Sequence, residues 1–224
     1  MTMNSFRKKA ESISASEMLT GSDVALMDTV RTVGSESVEQ LGEITADAFR
    51  HDPFNNWFFH DFDAMQQVFT LMAKHIYAPN GFCQIWEENG QACAATMWTM
   101  PGDKADLSLL ATLEFYWSIF SRGGLAALKR GKATTEAMEA HHPKEPHAYL
   151  FTVGVVGEAR GRGLGRQLIE PVLQACDQTG TMAYLENSNP ANTRVYNSLG
   201  FERVTIFHPM PGCPPLEAMT RKPQ

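Results

Sequence analysis

A chain of 224 residues, 43% of them hydrophobic and 20% charged, has the composition of a folded protein with one sizeable core, which excludes a mainly disordered chain. The net charge of -6 argues against a nucleic-acid-binding protein, because such proteins usually present a basic surface. The same charge suits a cationic partner such as an amine.

The sequence shows no segment with the features of a membrane span or a secretory signal. The most apolar stretch, residues 107–120, is 14 residues long and contains Glu114, so it is too short and too polar to cross a bilayer. Lys8 and Lys9 are followed by polar residues and not by an apolar segment. The four cysteines and seven histidines lack the close spacings of metal or redox sites. We therefore expect a cytoplasmic protein with no membrane partner and no metal.

Apolar periodicity divides the chain into an N-terminal extension and one domain. Residues 1–27 are rich in Ser, Thr and Lys without a strand period, and we interpret them as an extension that precedes a single domain at 28–224. The elements predicted in chain order are a strand at 28–33, helices at 38–49 and 65–76, strands at 82–87 and 92–100, a helical region at 105–140 with a break at Gly123–Gly124, a strand at 148–156, a helix at 163–178, a strand at 182–186, a short helix at 191–199, and strands at 201–207 and 218–221.

The connections between these elements predict the class of fold. Asn89–Gly90 supplies the backbone conformation of a tight hairpin, so the two strands that it joins should be antiparallel. Residues 148–186 form a strand–helix–strand crossover, which makes its two strands parallel and its connection right-handed. The sequence therefore predicts an α/β (α+β) domain with a mixed sheet.

A glycine-rich turn, Arg160-Gly161-Arg162-Gly163-Leu164-Gly165, joins the first strand of that crossover to its helix. The first turn of a helix leaves N–H groups unpaired and carries partial positive charge, and glycines let a phosphate approach those groups. The guanidinium groups of Arg160, Arg162 and Arg166 add charge that suits a diphosphate. The turn is thus a predicted phosphate-binding site.

Other interpretations of the turn fit less well. A dinucleotide fingerprint has the spacing GxGxxG, whereas this turn has GxGxG after a long antiparallel region, although Glu186 lies where that fingerprint places its acidic residue. A nucleotide-triphosphate loop ends in Gly-Lys-Ser/Thr, whereas Gly131-Lys132 is followed by Ala133. The remaining alternative is that the segment binds no ligand and is only a tight turn whose arginine side chains are solvated.

The segments around the turn resemble the GNAT superfamily of N-acetyltransferases. Arg-x-x-Gly-x-Gly after a valine-rich strand is similar to its coenzyme A signature, and Leu185–Asn192 followed by Val195–Phe201 resembles its second half, with an Asn, a Tyr and a Leu-Gly-Phe strand entry. The resemblance is specific from about residue 141 onward. It implies a GNAT-like fold, in which a central, mostly antiparallel sheet contains one parallel pair of splayed strands and has helices on both faces, with the cofactor-binding core at about 146–207.

The resemblance also implies acetyl-CoA as cosubstrate, with its pantetheine arm inserted between the splayed strands. The backbone of Val153 and Val155 would meet the pantetheine, an N–H group near Val155 would stabilise the oxyanion, and the turn would hold the diphosphate. The full set assigned to the cofactor is Val153, Gly154, Val155, Arg160, Gly161, Arg162, Gly163, Leu164, Gly165, Arg166 and Asn192.

Two residues are candidates for proton transfer. By its place in the family pattern, Tyr196 would protonate the departing thiolate, because a phenol with an ordinary pKa of about 10 is matched to a thiol of about 8.5. Glu186, at the end of its strand, would accept the proton of the attacking amine through water, with Glu145 and His142 as alternative bases. If these residues have no catalytic role, Tyr196 is a core tyrosine and Glu186 is a structural carboxylate.

Aromatic residues after the first predicted helix suggest an apolar acceptor. Phe49, Phe54 and Trp57, with Phe58 and Phe59 beside them and Trp117 farther on, would suit an aromatic amine if they lined a pocket, whereas core packing is the usual role of such side chains. The resemblance predicts direct acetylation of a small-molecule primary amine. A peptide or protein amine acetyltransferase and a non-catalytic acyl-CoA-binding protein are the alternatives, and the oligomeric state, a homodimer included, is left open.

Overall fold

A computed structural model describes residues 18–59, 61–103 and 108–224. Seven strands in these ranges form one sheet, in the spatial order β1-β2-β3-β4-β5-β7-β6. The strands are β1 (Val30–Val33), β2 (Phe82–Glu88), β3 (Gln91–Thr99), β4 (His147–Val155), β5 (Met182–Asn187), β6 (Glu202–Phe207) and β7 (Leu216–Arg221). Only β4 and β5 run parallel, and every other neighbouring pair in the sheet is antiparallel. The predicted mixed sheet is confirmed.

Helices cover both faces of the sheet. They are α1 (Val38–Phe49), α2 (Pro53–Phe58), α3 (Phe62–Met72), α4 (Leu109–His141), α5 (Leu164–Thr179) and α6 (Thr193–Ser198). One core layer joins α5 to the face of the sheet that carries Trp98 and Leu150, and the other joins α1 to the opposite face, which carries Ile85 and Met97. Adjacent strand residues point to opposite faces, so the two layers share one sheet. No helix in the described ranges is long and apolar enough to cross a bilayer.

Local backbone geometry confirms two predicted breaks and shows one element that was missed. Asn89 and Gly90 have φ values of 52° and 76°, which form the predicted hairpin turn. Gly124, with φ 58° and ψ -154°, interrupts α4 where the double glycine predicted a break. Helix α2 was not predicted, because its 6 residues are too few to show a period. Its sequence signals are the capping Asp52 and the proline that follows.

The parallel pair separates partway along its length. Pairing joins residues 147–150 of β4 to residues 182–185 of β5, after which β4 continues to Val155 and β5 to Asn187 without pairing to each other. The register between β3 and β4 also shifts here, because Met97 lies opposite Thr152 and Trp98 lies opposite Leu150. Phe151 is therefore the extra residue of a bulge. The divergence leaves a gap between the two strands at the carboxyl end of β4, where the glycine-rich turn begins.

Helix α1 packs closely on β4 because Gly154 lacks a side chain. A Cβ atom at this position would lie 3.0 Å from Ala48 Cβ and 3.3 Å from the carbonyl oxygen of Ile44. The glycine thus lets the backbone of the strand approach the helix more closely than any other residue would. This contact fixes α1 beside the diverging end of β4.

Candidate functional site: a cradle, a gap and an acidic cleft

The glycine-rich turn presents free main-chain donors at the start of α5. Gly161 and Gly163 both have φ 77°, in the left-handed region, and Gly163 is the N-cap of the helix. The first intrahelical bond runs from the Gln167 N–H to the Gly163 carbonyl at 3.1 Å. Within the described part of the chain, the N–H groups of residues 163–166 donate to no acceptor. Four unpaired donors at a helix N-terminus can bind an anion.

Three arginines surround these four N–H groups of residues 163–166, which we call the cradle. Each arginine side chain already has a partner in the protein. Arg160 donates to carbonyl groups in the last turn of α1 at 2.9 and 3.2 Å and to the Val155 carbonyl at 3.1 Å. Arg162 lies 2.6 Å from a carboxylate oxygen of Glu88, and Arg166 lies 2.7 Å from Glu170. The hydrogen bond from Arg162 lowers the pKa of Glu88. Arg160 therefore ties the turn to α1, whereas the charges of Arg162 and Arg166 are each balanced by a neighbouring carboxylate.

The side chain of Leu164 does not face the cradle. It is 3% exposed and belongs to a core cluster with Leu168 and Trp86, so only its N–H group is available to a ligand. Asn192 is exposed at the end of a short 3₁₀ turn that leads into α6. It precedes Tyr196 by four residues, which places both on the same side of that helix.

Tyr196, on α6, is buried in the core layer that joins α5 to the sheet. It is 8% exposed, and its ring packs edge-on against Phe201 at 6.0 Å. Burial, with the charge of Asp52 in addition, raises the pKa of Tyr196 above that of an ordinary phenol. The group is thus protonated at neutral pH, as a proton donor must be.

Asp52 is a site residue that the sequence analysis missed. One carboxylate oxygen accepts 2.8 Å hydrogen bonds from the backbone and the side chain of Asn55, and the other accepts one from the Ser188 hydroxyl at 2.8 Å. Burial raises the pKa of this carboxyl against the lowering effect of those hydrogen bonds. Asp52 joins the start of α2 to the end of β5, next to Tyr196. The Asp-Pro pair in the sequence marks the helix cap, but nothing in the sequence places Ser188 beside it.

Glu186 forms part of the wall of an open cleft of about 480 Å³. The cleft lies between the second half of α4, the loop that follows it, Tyr149 of β4 and Glu186 of β5. Its lining residues are Thr135, Met138, Glu139, His142, Pro143, Lys144, Tyr149 and Glu186. The Glu186 side chain is only 3% exposed. The phenols of Tyr149 and Tyr184 lie beside it, yet no donor in the described residues meets hydrogen-bond geometry with either carboxylate oxygen.

The environment of Glu186 is electrostatically unusual. Burial and, next, the Glu186 charge raise the pKa of Tyr149 and of Tyr184. The nearest basic group is His142, whose Nδ1 lies 3.6 Å from Glu186 Oε1. A buried carboxylate without hydrogen bonds destabilises a fold, so its retention at a cleft is typical of a functional group.

Comparison with known proteins decides the family of this chain. The model of the acetyltransferase (GNAT) family matches residues 40–201. This chain belongs to the GNAT family. It is therefore an acyltransferase of a family that uses acetyl-CoA as its cosubstrate. The match begins within α1 and ends at the start of β6, so it includes the turn, both candidate catalytic residues and the cleft.

One relative agrees with this assignment, and two solved structures share the fold. An N-acetyltransferase from Schizosaccharomyces pombe is 27% identical over 214 residues, which is 87% of this chain and 83% of that protein. The fold is similar to the structure of "histone acetyltransferase HPA2 and related acetyltransferase" from Corynebacterium glutamicum, with 23% identity and a TM-score of 0.64 over 88% of this chain and 96% of the other. Arylalkylamine N-acetyltransferase 2 from Aedes aegypti gives 14% identity and a TM-score of 0.59, over 88% and 100%.

The aromatic residues predicted for the acceptor pocket of this acetyltransferase occupy separate places. The Phe49 ring lies 5.5 Å from that of Phe69 on α3, and the Trp57 ring lies 6.0 Å from that of Phe54 in a tilted arrangement. Phe54 packs against the buried cluster of Tyr184, Phe207, Leu216 and Ala218, as do Met138 and Tyr149, two wall residues of the cleft. None of these aromatic residues lines the cleft itself.

Trp117 lies farther away. It is 69% exposed on the first half of α4, where its ring is 6.4 Å from that of Phe120, and it does not line the cleft. Of the two alternative bases, His142 lines the cleft with Glu186, whereas the Glu145 carboxylate does not. Nothing in the sequence indicated that residues of α4 and Tyr149 would form one wall of a cleft.

Proposed function

We propose that this GNAT protein transfers the acetyl group of acetyl-CoA to the primary amine of a small molecule by direct attack. The observation that carries the proposal is the Glu186 carboxylate, which is buried at the wall of a cleft of about 480 Å³ beside the phenols of Tyr149 and Tyr184, with no donor among the described residues in hydrogen-bond geometry with it. Such a carboxylate attracts an ammonium group and can accept its proton. The volume of the cleft suits a small ligand.

The proposed cofactor site combines the cradle with the gap. The N–H groups of residues 163–166 would hold the diphosphate, and the unpaired edge of β4 near Val153 and Val155 would meet the pantetheine. The exposed Asn192 would add a side-chain contact. In this arrangement the thioester is held between Glu186, on the acceptor side, and Tyr196, which would protonate the leaving thiolate. Positioning two substrates in this way is a main source of rate enhancement in direct transfer.

A peptide amine is the second candidate acceptor, because the cleft is open to solvent and has Glu139 as well as Glu186 in its wall. Purified protein would be mixed with acetyl-CoA and puromycin, tryptamine or a lysine-containing peptide, and thiol release followed. Puromycin is included because residues 141–146 and 219–223 resemble the corresponding segments of puromycin N-acetyltransferase. We expect thiol release with a small amine. Release with the peptide alone would favour the second candidate, and no release with any amine would contradict catalysis.

The cradle can be tested by a matched pair of glycine substitutions. Gly163 and Gly180 lie at opposite ends of α5 with φ values of 77° and 68°, so alanine at either position adds similar backbone strain, about 1 kcal/mol. Only position 163 belongs to the group of free N–H donors, and a Cβ atom there would lie 3.9 Å from Gln167 Nε2, whereas one at position 180 would meet no atom of the described residues within 4 Å. We expect Gly163→Ala to weaken coenzyme A binding by about tenfold, a loss of about 1.4 kcal/mol, in calorimetry. Gly180→Ala should bind normally, and equal affinities in the two variants would contradict the cradle.

A further inference from the structure

Two histidines connect Glu186 to the surface, and their hydrogen bonds fix where their protons are. His147 Nδ1 lies 2.7 Å from the Glu145 carbonyl oxygen, and His147 Nε2 lies 3.0 Å from His142 Nε2. His142 Nδ1 then faces Glu186 Oε1 at 3.6 Å. The rings of Tyr149 and Tyr184 contact His142 edge-on at 4.9 and 5.0 Å and hold its plane.

The tautomers of both rings follow from this chain of contacts. A carbonyl oxygen only accepts, so His147 Nδ1 must donate to Glu145. Burial lowers the pKa of His147, which keeps the ring neutral and leaves its Nε2 as an acceptor. His142 Nε2 must therefore carry a hydrogen that it donates to His147. In neutral His142 the remaining nitrogen, Nδ1, bears a lone pair and no proton.

With a neutral His142 ring, two proton acceptors therefore face each other across 3.6 Å with no proton between them. We propose that Glu186 and His142 act as a relay, in which Glu186 takes the proton of the substrate ammonium and passes it to His142 Nδ1. His142 then releases it to the cleft, because its side chain is 35% exposed whereas that of Glu186 is 3% exposed. This inference rests on the proposed amine acetylation and names the route by which the amine is made nucleophilic.

The proton balance requires such a route. An ammonium acceptor and acetyl-CoA yield an acetamide, a thiol and one free proton. The N–H bond of the ammonium breaks first, and its proton leaves through Glu186 and His142. The freed lone pair then forms the C–N bond as the C–S bond breaks, and the thiolate takes a proton from Tyr196. The second proton on the amine nitrogen restores Tyr196, so only the relay proton reaches solvent.

Other titratable groups near the relay must be counted in any pH experiment. Those that face His142 or Glu186, from α4, the following loop, β4 and β5, are Glu139, Lys144, His147, Tyr149 and Tyr184. Tyr77 also feels the Glu186 charge. Burial raises the pKa of Tyr149 and of Tyr184, so both phenols keep their protons at neutral pH, and burial lowers the pKa of His147, so its ring is neutral there.

The test uses His142→Ala and measures turnover against pH with an acceptor amine of high pKa. At pH 7 we expect turnover to fall about 100-fold, because the ammonium has lost its proton carrier. Above the pKa of the amine the acceptor arrives without the extra proton, so the defect should shrink to about threefold or less. An acceptor amine whose pKa lies below about 7 is mostly neutral at pH 7. With this acceptor, the loss of turnover in His142→Ala should be as small at about pH 7. Added imidazole, which fits the vacated side of the cleft, should restore turnover.

The matched control is the neighbouring histidine. His141 Nδ1 donates to the Ala137 carbonyl oxygen, and its ring stacks on that of Phe207 at 4.1 Å, outside the cleft lining. His141→Ala should therefore retain turnover within about twofold of the wild type. His142→Gln keeps a hydrogen-bonding side chain but cannot carry a proton, so it should remain as slow as His142→Ala and serves if the alanine variant does not fold.

The outcomes separate the relay from the underlying activity. Full activity in His142→Gln, or a defect in His142→Ala that is equal at every pH and unaffected by imidazole, would show a structural role and overturn the relay alone. Absence of acetyl transfer by the wild-type chain with every amine would overturn both the relay and the proposed function.

Discussion

Replacing Glu186 with glutamine is expected to lower turnover by about 10²- to 10³-fold and to raise thermal stability in the same protein. The two effects have one cause. The carboxylate is buried, and neither oxygen has a hydrogen bond in the described residues, so its charge destabilises the folded state. The neutral amide removes that charge and also removes the group proposed to accept the proton of the amine. A gain of about 1 kcal/mol would raise the melting temperature by about 2–4 °C for a chain of this size.

The matched control for stability is Glu217 on β7. Its side chain is 5% exposed, and its carboxylate lies 3.0 Å from Arg203 Nη1 and 2.7 Å from Asn187 Nδ2. The same Glu→Gln change there breaks a satisfied ion pair and should lower the melting temperature. If the melting temperature rises in Glu186→Gln and falls in Glu217→Gln, Glu186 is identified as a residue kept for function at the expense of stability. A lower melting temperature in Glu186→Gln, with normal turnover, would refute its role as the base.

Replacing Tyr196 with phenylalanine should depress turnover by about 10²-fold or more, with coenzyme A affinity unchanged within about twofold. The phenol is the proposed proton donor to the thiolate, and its raised pKa keeps it protonated at neutral pH. Phenylalanine retains the ring that packs on Phe201. The fold and the cofactor site should therefore survive, and the loss should appear in kcat and not in coenzyme A binding.

Tyr116 provides the control for this substitution. It is 57% exposed on α4 and does not line the cleft, so Tyr116→Phe should leave turnover and stability unchanged. Because the pKa of Tyr196 is raised, its ionisation should not reduce wild-type activity until the pH exceeds about 10. Wild-type kinetics in Tyr196→Phe would mean that another group protonates the thiolate, and the assignment of Tyr196 would be withdrawn.

The sequence predicted those features that depend on local rules. The hairpin at Asn89–Gly90 and the interruption at Gly124 follow from the backbone freedom of glycine and asparagine. The parallel relation of β4 and β5 follows from the handedness of a strand–helix–strand crossover. Glycines between a strand and a helix likewise predicted the free amides at the start of α5. Each of these conclusions requires only residues that are neighbours along the chain.

Tertiary structure alone decided which distant groups meet. The sequence indicated Glu186 as the base, with Glu145 and His142 as alternatives, and only the folding of the loop after α4 onto β5 brings His142 Nδ1 to 3.6 Å from Glu186. Asp52 and Ser188 are 136 residues apart and meet at 2.8 Å for the same reason. The burial of a carboxylate, and hence its electrostatic cost, depends on what packs around it from several elements. Sequence rules for local backbone conformation contain no information about that packing, so the chemistry of the cleft became visible only in the folded chain.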